Sequence, residues 1–263
     1  GYLGTTGLHA MDYYVADSYW IPPNKLDWQF VEKLAYLPAV VAFEPNHYSP
    51  PVNPLPALTN GHITFGSFNR QNKINHPVVR TWSILLKRFP DSKMVLGAIP
   101  QEHQDNIAKL FEREGISKNR LRFFGRMAQT DYLALHHKVD FCLDTFPFGG
   151  GATTAHAAWM GVPTLSLAGE TPASRFGATE MHHLNLDAFI ATSEEEFIAK
   201  GIYWVEHITE LAEIRQNLRT GFQASPMGQY QAFADDFEAM LRSMWLRWCA
   251  DAPPTALTSD EIT

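Results

Sequence analysis

The sequence predicts an α/β fold, a Rossmann-like parallel sheet with helices on both faces. Three observations carry this. From about residue 60, short apolar runs alternate with amphipathic segments of helical period. Such alternation implies a parallel sheet covered on both sides, with right-handed connections. One run, Val139–Leu143, empties into a glycine-rich turn and then a helix start. In open parallel sheets, ligands bind beyond the carboxyl ends of the strands, and this turn lies at such an end.

The elements follow in order. Residues 1–60 are rich in proline and aromatics, so little regular structure is expected there, and residues 48–58 read as a linker or rim. His62–Ser67 reads as a strand. Pro77–Phe89 reads as a helix, with Pro77 in its first turn and Val78, Trp82, Leu85, Leu86 and Phe89 on one face. Lys93–Gly97 is a strand, and Gln101–Glu114 a helix closed by Gly115. Leu121–Phe124 is a strand, followed by a helix over Thr130–Lys138 with Thr130 as N-cap. The strand Val139–Leu143 leads through Gly149, Gly150 and Gly151 into a helix that ends at Gly161, with Pro163 beyond it. Thr164–Ala168 is a strand, Ala173–His183 a helix and Ala188–Ile190 a short last strand. Ser193 with Glu196 forms a capping box for the next helix. A final helix over Gln229–Cys249 carries Phe233, Phe237, Met240, Leu241, Met244, Trp245 and Trp248 on one stripe, too apolar for a solvent-facing helix. Residues 251–263 are expected to be a disordered tail.

Bulk properties narrow the function. At 263 residues with 45% hydrophobic and 19% charged content, the chain is an ordinary packed globule. No apolar run approaches the ~20 residues of a membrane span, so no membrane partner is expected. The net charge of −7 argues against nucleic acid as a partner. Cys142 and Cys249 give neither a disulfide framework nor a metal set, and a cytoplasmic location is expected. The chain does not begin with Met, and residues 1–7 read as an interior loop, so a fragment is expected.

The chemistry-bearing residues gather at strand ends. Gly150, Gly151, Ala152, Thr153 and Thr154 offer bare amides and hydroxyls at a helix N-terminus, where the dipole favours anions. A phosphate ligand is expected, above all the diphosphate of a nucleotide. The spacing Gly149-x-Gly151-x-x-Thr154 lacks the third glycine of the dinucleotide fingerprint. The loop after the first strand carries Asn69, Arg70 and Lys73, with the two cations in reach of a diphosphate on the glycine turn. The loop at residues 125–132 carries Met127 and Tyr132, which can hold a base through backbone and ring; Tyr132 also fits a helix-face core position. Glu170, after the strand Thr164–Ala168, can accept from ribose hydroxyls, or favour the helix dipole, or pair with Arg175. His156 lies one turn into the glycine-turn helix and faces the nucleotide. His136-His137 and His182-His183 are adjacent and point apart on a helix, so no metal is expected. No Gly-x-Ser-x-Gly elbow or P-loop is present, which weighs against hydrolases and ATPases.

These residues resemble the donor-binding lobe of the O-linked N-acetylglucosamine transferase family, including its bacterial-type and SPINDLY-like members. The matching pieces are Phe68–Ile74, Trp82–Pro90, Asp140–Thr145, Gly150–Thr154, Trp159–Pro163 and Gly169–Arg175. Residues 1–7 with Met11–Tyr13, and Met244–Trp248, also fit. The resemblance implies the C-terminal lobe of a two-lobed GT-B glycosyltransferase. It implies residues 1–58 as the end of the first catalytic lobe and a linker, 59–225 as the nucleotide-sugar lobe, and 226–250 as a helix packing back on the other lobe. The implied reaction is inverting, metal-independent transfer of N-acetylglucosamine from UDP-GlcNAc to protein Ser or Thr, with no cofactor. Related donors, GDP-fucose or UDP-glucose, and a catalytically lapsed sugar-nucleotide module are the alternatives. By the resemblance, Lys73 stabilises the leaving diphosphate, flanked by Asn69 and Arg70. Tyr132 and Met127 hold uracil, and Ala152, Thr153 and Thr154 bind the diphosphate. The implied partners are UDP or UDP-GlcNAc, an acceptor protein, an N-terminal lobe and tetratricopeptide repeats; the fragment alone is expected to be inactive. The chain departs from the family pattern at His156, where an aspartate is usual, at Leu3, where a proline is, and at Ala152, where a threonine or other polar residue is common.

Overall fold

The computed structural model describes residues 3–41, 43–45 and 47–258. Gly1 and Tyr2 of the first motif, and residues 259–263 of the expected tail, lie outside the described residues.

The apolar runs after residue 60 become six parallel strands of one sheet: β3 (Thr64–Ser67), β4 (Lys93–Leu96), β5 (Leu121–Phe123), β6 (Phe141–Leu143), β7 (Thr164–Leu167) and β8 (Ile190–Ala191). Their order is β5-β4-β3-β6-β7-β8. The chain winds outward from β3 to β5, returns to pair β6 beside β3, then winds outward the other way. The reversal makes the β3–β6 junction the topological switch point, the place where open parallel sheets bind their ligands.

Helices cover both faces. α2 (His76–Arg88) is capped by Asn75, whose side chain accepts from the Val78 amide at 3.0 Å, with Pro77 in the first turn. It buries Val78, Val79, Trp82, Leu85 and Leu86 against β3 and β4 residues such as Phe65 and Met94. α3 (Gln101–Arg113) ends before Gly115, whose φ of +76° only glycine adopts without strain. α4 (Gln129–Leu135) and α5 (Ala152–Trp159) place Leu135 and Ala157 on the opposite face, over Val95 and Cys142. α6 (Pro172–His183) opens with a reciprocal cap between Thr171 and Ser174. α7 (Glu194–Glu206) and α8 (Ile208–Ala224) complete the shell.

Several expected boundaries move for local reasons. α4 begins at Gln129, one residue before Thr130, with Ala128 at the N-cap and no side-chain cap, and residues 136–138 tighten into a 3₁₀ turn. Ser193 caps α7 by accepting from the Glu196 amide at 3.1 Å. The Glu196 carboxylate turns instead to the Thr192 amide and hydroxyl, at 2.7 and 2.8 Å. The last strand starts at Ile190, because Phe189 turns inward to stack on Trp204 at 4.3 Å.

The first 60 residues hold more structure than their prolines suggest. β1 (Tyr13–Ala16) and β2 (Lys33–Tyr36) form a parallel pair, and α1 (Ala57–Asn60) precedes β3. One side of the pair buries Ala16, Trp20, Ile21, Leu34 and Tyr36. The other is covered by α9 (Tyr230–Cys249), whose Phe233, Phe237, Met240 and Met244 pack on Tyr13, Val15, Ala35 and Leu37. The rest of the α9 stripe does not join: Trp245 is 63% and Trp248 69% exposed among the described residues. The tail expected to be disordered is docked up to residue 258. Leu257 donates to Leu34 O at 3.0 Å, accepts from the Tyr36 amide at 2.9 Å and buries its side chain beside Met240. A free strand edge and an apolar slot outweigh the polar composition of that segment.

Buried groups fasten the N-terminal segment to the sheet. Asp17 accepts from the Tyr19 and Trp20 amides at 3.0 and 2.7 Å and faces His183 at 3.3 Å. Asp140 accepts from the Ala57 and Thr64 amides at 2.8 and 2.7 Å, and burial raises its carboxyl to about 6. Arg215 on α8 is fully buried; it donates to Asn53 O and Val139 O at 2.8 Å each and to Asn53 Oδ1 at 2.5 Å. Burial lowers its guanidinium to about 10, against the pull of Asp140. Arg215→Met removes these donors and leaves buried carbonyls unpaired. Urea unfolding of the variant should show a loss of about 3 kcal/mol or more.

Candidate functional site

The site is organised by the residue that follows β6. Asp144 is only 2% exposed, yet its carboxylate is richly bonded. Oδ1 accepts from the Thr145 amide at 2.8 Å, the Gly150 amide at 2.7 Å and Asn69 Nδ2 at 3.2 Å. Oδ2 accepts from Ser166 Oγ at 2.9 Å. Burial pushes the carboxyl up, while the donors from Ser166, Gly150 and Thr145 and the charge of Lys73 draw it back. The loop thus folds over its own carboxylate, through a cis Phe146–Pro147 bond, and Thr145 Oγ1 holds Phe148 O at 2.8 Å.

Gly150 must be glycine here. A Cβ would collide with Thr154 Oγ1 and press on Thr153 Oγ1 at 3.2 Å and Asp144 Oδ1 at 3.3 Å. The turn also decides which amides stay open. Gly149 donates to Ala173 O at 3.1 Å and Gly150 to Asp144. Thr154 donates to Gly151 O at 2.6 Å, so its amide is spent inside the helix and its side chain is buried. Gly151, Ala152 and Thr153 keep amides with no hydrogen bond among the described residues. Those three, without Gly150 and Thr154 of the five expected, are the open donors at the α5 N-terminus.

Lys73 arrives from the β3 side of the switch point. Its Nζ donates to Gly149 O at 2.6 Å and lies 4.1 Å above the Phe148 ring. Burial lowers its pKa, with Arg70 acting the same way and Asp144 and Glu180 opposing. The lysine is half-buried rather than open in a cleft. Asn69 is buried, with Thr153 Oγ1 3.5 Å from its Oδ1, and Arg70 is exposed beside it. Sequence-predicted Asn69, Lys73, Gly150, Gly151, Ala152 and Thr153 are therefore brought together.

Other expected residues fall differently. Tyr132 is a core-face ring, edge-on to Phe68, His136 and His156 at 5.6, 5.3 and 5.5 Å. Its hydroxyl is buried without a hydrogen-bond partner among the described residues, and burial raises its pKa. Met127, 37% exposed, is open, as are Arg126 and Ala128 on either side of it. His156 is half-buried, edge-on to Phe43 at 5.2 Å, and burial lowers its pKa, which favours the neutral ring. The Glu170 carboxylate is exposed and bonds neither Arg175 nor the turn. Arg175 donates instead to the Tyr19, Trp20 and Gly169 carbonyls at 3.0, 3.1 and 3.4 Å. Sequence reasoning assigned no role to Asp144, Phe148 or Ser166. The available signal was an acidic residue directly between a strand and a glycine turn.

The sequence profile described as Glycosyl transferase family 41 matches residues 55–237, which include every residue of this site. The chain belongs to family 41. It is 32% identical over 259 residues to the tomato (Solanum lycopersicum) protein named Probable UDP-N-acetylglucosamine–peptide N-acetylglucosaminyltransferase SPINDLY, covering 96% of this chain and 28% of that one. The Caenorhabditis elegans UDP-N-acetylglucosamine–peptide N-acetylglucosaminyltransferase is 24% identical over 206 residues, 78% of this chain and 18% of its own length. A mutant of Thermobaculum terrenum O-GlcNAc transferase superposes with a TM-score of 0.81 at 28% identity, over 92% of this chain and 47% of that one. The chain thus spans less than half the length of each of these relatives. Sucrose-phosphate synthase from Thermosynechococcus elongatus, at 12% identity and a TM-score of 0.62, shares the fold. The parallel-sheet unit is that of a GT-B glycosyltransferase.

Asp144→Ala would leave Gly150, Thr145, Asn69 and Ser166 without their acceptor. Urea unfolding should register a loss of at least about 3 kcal/mol, whereas Asp144→Asn, which keeps an oxygen for three of the donors, should lose about 1 kcal/mol.

Proposed function

We propose that this chain is the donor-binding part of a glycosyltransferase that moves N-acetylglucosamine from UDP-GlcNAc to protein serine or threonine, with inversion and without a metal. The observation that carries this is the convergence of three unspent amides, Gly151, Ala152 and Thr153, with the Lys73 ammonium at the switch point. As the bond from the sugar to the diphosphate breaks, negative charge grows on the leaving oxygens. Fixed donors in a partly desolvated site stabilise that charge more than they stabilise the ground state. Lys73 now holds Gly149 O; a diphosphate oxygen is the stronger partner, and the lysine turns to it on binding.

The base lies over the residue 125–128 loop, with Met127 offering its backbone and Tyr132 acting as a buried wall beneath. His156 is neutral and offers the ribose one donor and one acceptor, where a carboxylate would only accept. Arg70 and Glu170, both exposed, flank the opening. The acceptor protein and the general base belong to the first catalytic lobe, toward which the β1–β2 unit and α9 are the connecting parts. Names borne by the plant and nematode relatives support the sugar and the peptide acceptor.

UDP titrated into the full-length protein should bind more tightly than GDP; preference for GDP would redirect the reading to a GDP-sugar donor. Lys73→Ala should lower kcat for peptide glycosylation by about 10²–10³-fold. The same change should alter unfolding free energy by less than about 1.5 kcal/mol, since only one hydrogen bond is lost. A large drop in stability with unchanged transfer would make Lys73 structural. Excess EDTA should leave the transfer rate unaltered.

A further inference from the structure

One buried ionisable group near the turn has no role in the chemistry above. Glu180 sits on α6, one helical turn beyond Gly177, where a Cβ would collide with Asp144 Oδ2. The Glu180 side chain is fully buried, and neither carboxyl oxygen has a hydrogen-bond partner among the described residues. Asp144 and Lys73 are the charged groups that act on it. The remaining ionisable groups around α6 are engaged elsewhere. His182 pairs with Asp187 at 2.8 Å, His183 faces Asp17 at 3.3 Å, and Arg175 binds backbone carbonyls. On α5, His156 packs on Phe43 and Tyr132.

The two acids differ in kind. Asp144 has four donors and can carry charge in the interior. Glu180 has none, so ionising it would bury a bare carboxylate beside an existing one, which the interior strongly disfavours. Burial and the Asp144 charge both raise its pKa, with Lys73 opposing.

We infer that Glu180 is a positioning residue of the diphosphate site: as a neutral acid it leaves Asp144 the single negative charge behind the glycine turn, so that Lys73 is free to turn to the ligand. Ionised, it would add a second anion behind the turn, hold the ammonium inward and repel the diphosphate. A bound diphosphate in turn makes Glu180 harder to ionise, so binding and the Glu180 proton are linked. This inference rests on the diphosphate reading of the site.

The test is UDP affinity by titration calorimetry on the full-length protein from about pH 7.5, where both phosphates are ionised, to about pH 9.5. Wild type is compared with Glu180→Gln and with Glu180→Met, which keeps volume without polar atoms should the glutamine variant fail to fold. Wild-type affinity should fall at least about fivefold across this range. The variants, neutral at every pH, should keep only the shallower slope that Lys73 gives to all three proteins. Parallel profiles in wild type and variants would overturn the role of Glu180 while leaving the diphosphate site intact. Weaker binding by the variants at the high end would overturn it too. Absence of UDP binding by wild type at any pH would sink the diphosphate reading and this inference with it.

Discussion

The Asp144 carboxylate is the constraint on which the rest depends. It lies at the carboxyl end of β6, almost without solvent, and gathers donors from β7, the β3 loop and its own turn. A buried charge survives only when its lone pairs are filled, and filling them bends the chain into the glycine turn. Once Gly150 donates inward to Asp144, the amides of Gly151, Ala152 and Thr153 remain at the helix start. An anion held inside therefore decides which amides stay open at the helix start. Gly177 shows how close the packing is, since α6 approaches Asp144 at a position where no side chain fits.

The same economy explains Lys73. An ammonium near a buried carboxylate and an open helix start would be costly to leave unsolvated. It is held by Gly149 O and by the face of Phe148. Both contacts are weaker than a charge-assisted bond to phosphate, so the lysine is poised without being locked. Sheet topology supplies the meeting: β3 and β6 are neighbours although 75 residues separate Asn69 from Asp144 in sequence.

The N-terminal segment and the C-terminal helix form a second body of contacts. β1, β2, α9 and Leu257 bury one another, and Asp17, Arg175 and Trp20 fasten them to α6. Prolines in that region interrupt local order without preventing pairing, because the strands take their partners from distant sequence. Local propensity is a weak prior wherever tertiary burial decides. Leu257 makes the same point in a segment of polar composition, where one apolar side chain and one free edge suffice.

Patterns local in sequence were readable from the residues alone. Alternating apolar runs gave strands and helices, the glycines from Gly149 to Gly151 gave the turn that opens α5, and family motifs gave the enzyme class. These survive because each rests on contacts within a few residues or on a strand end whose position the period fixes. Hydrogen-bond arithmetic, in contrast, was decided only by the tertiary structure. Whether Thr154 or Gly151 offers its amide depends on which carbonyl and carboxylate lie nearby. Tyr132 became a core wall, Glu170 an exposed carboxylate and Glu180 a buried acid, because burial is set by elements far apart in the chain. Sequence names the groups; packing decides which of them still have something to give.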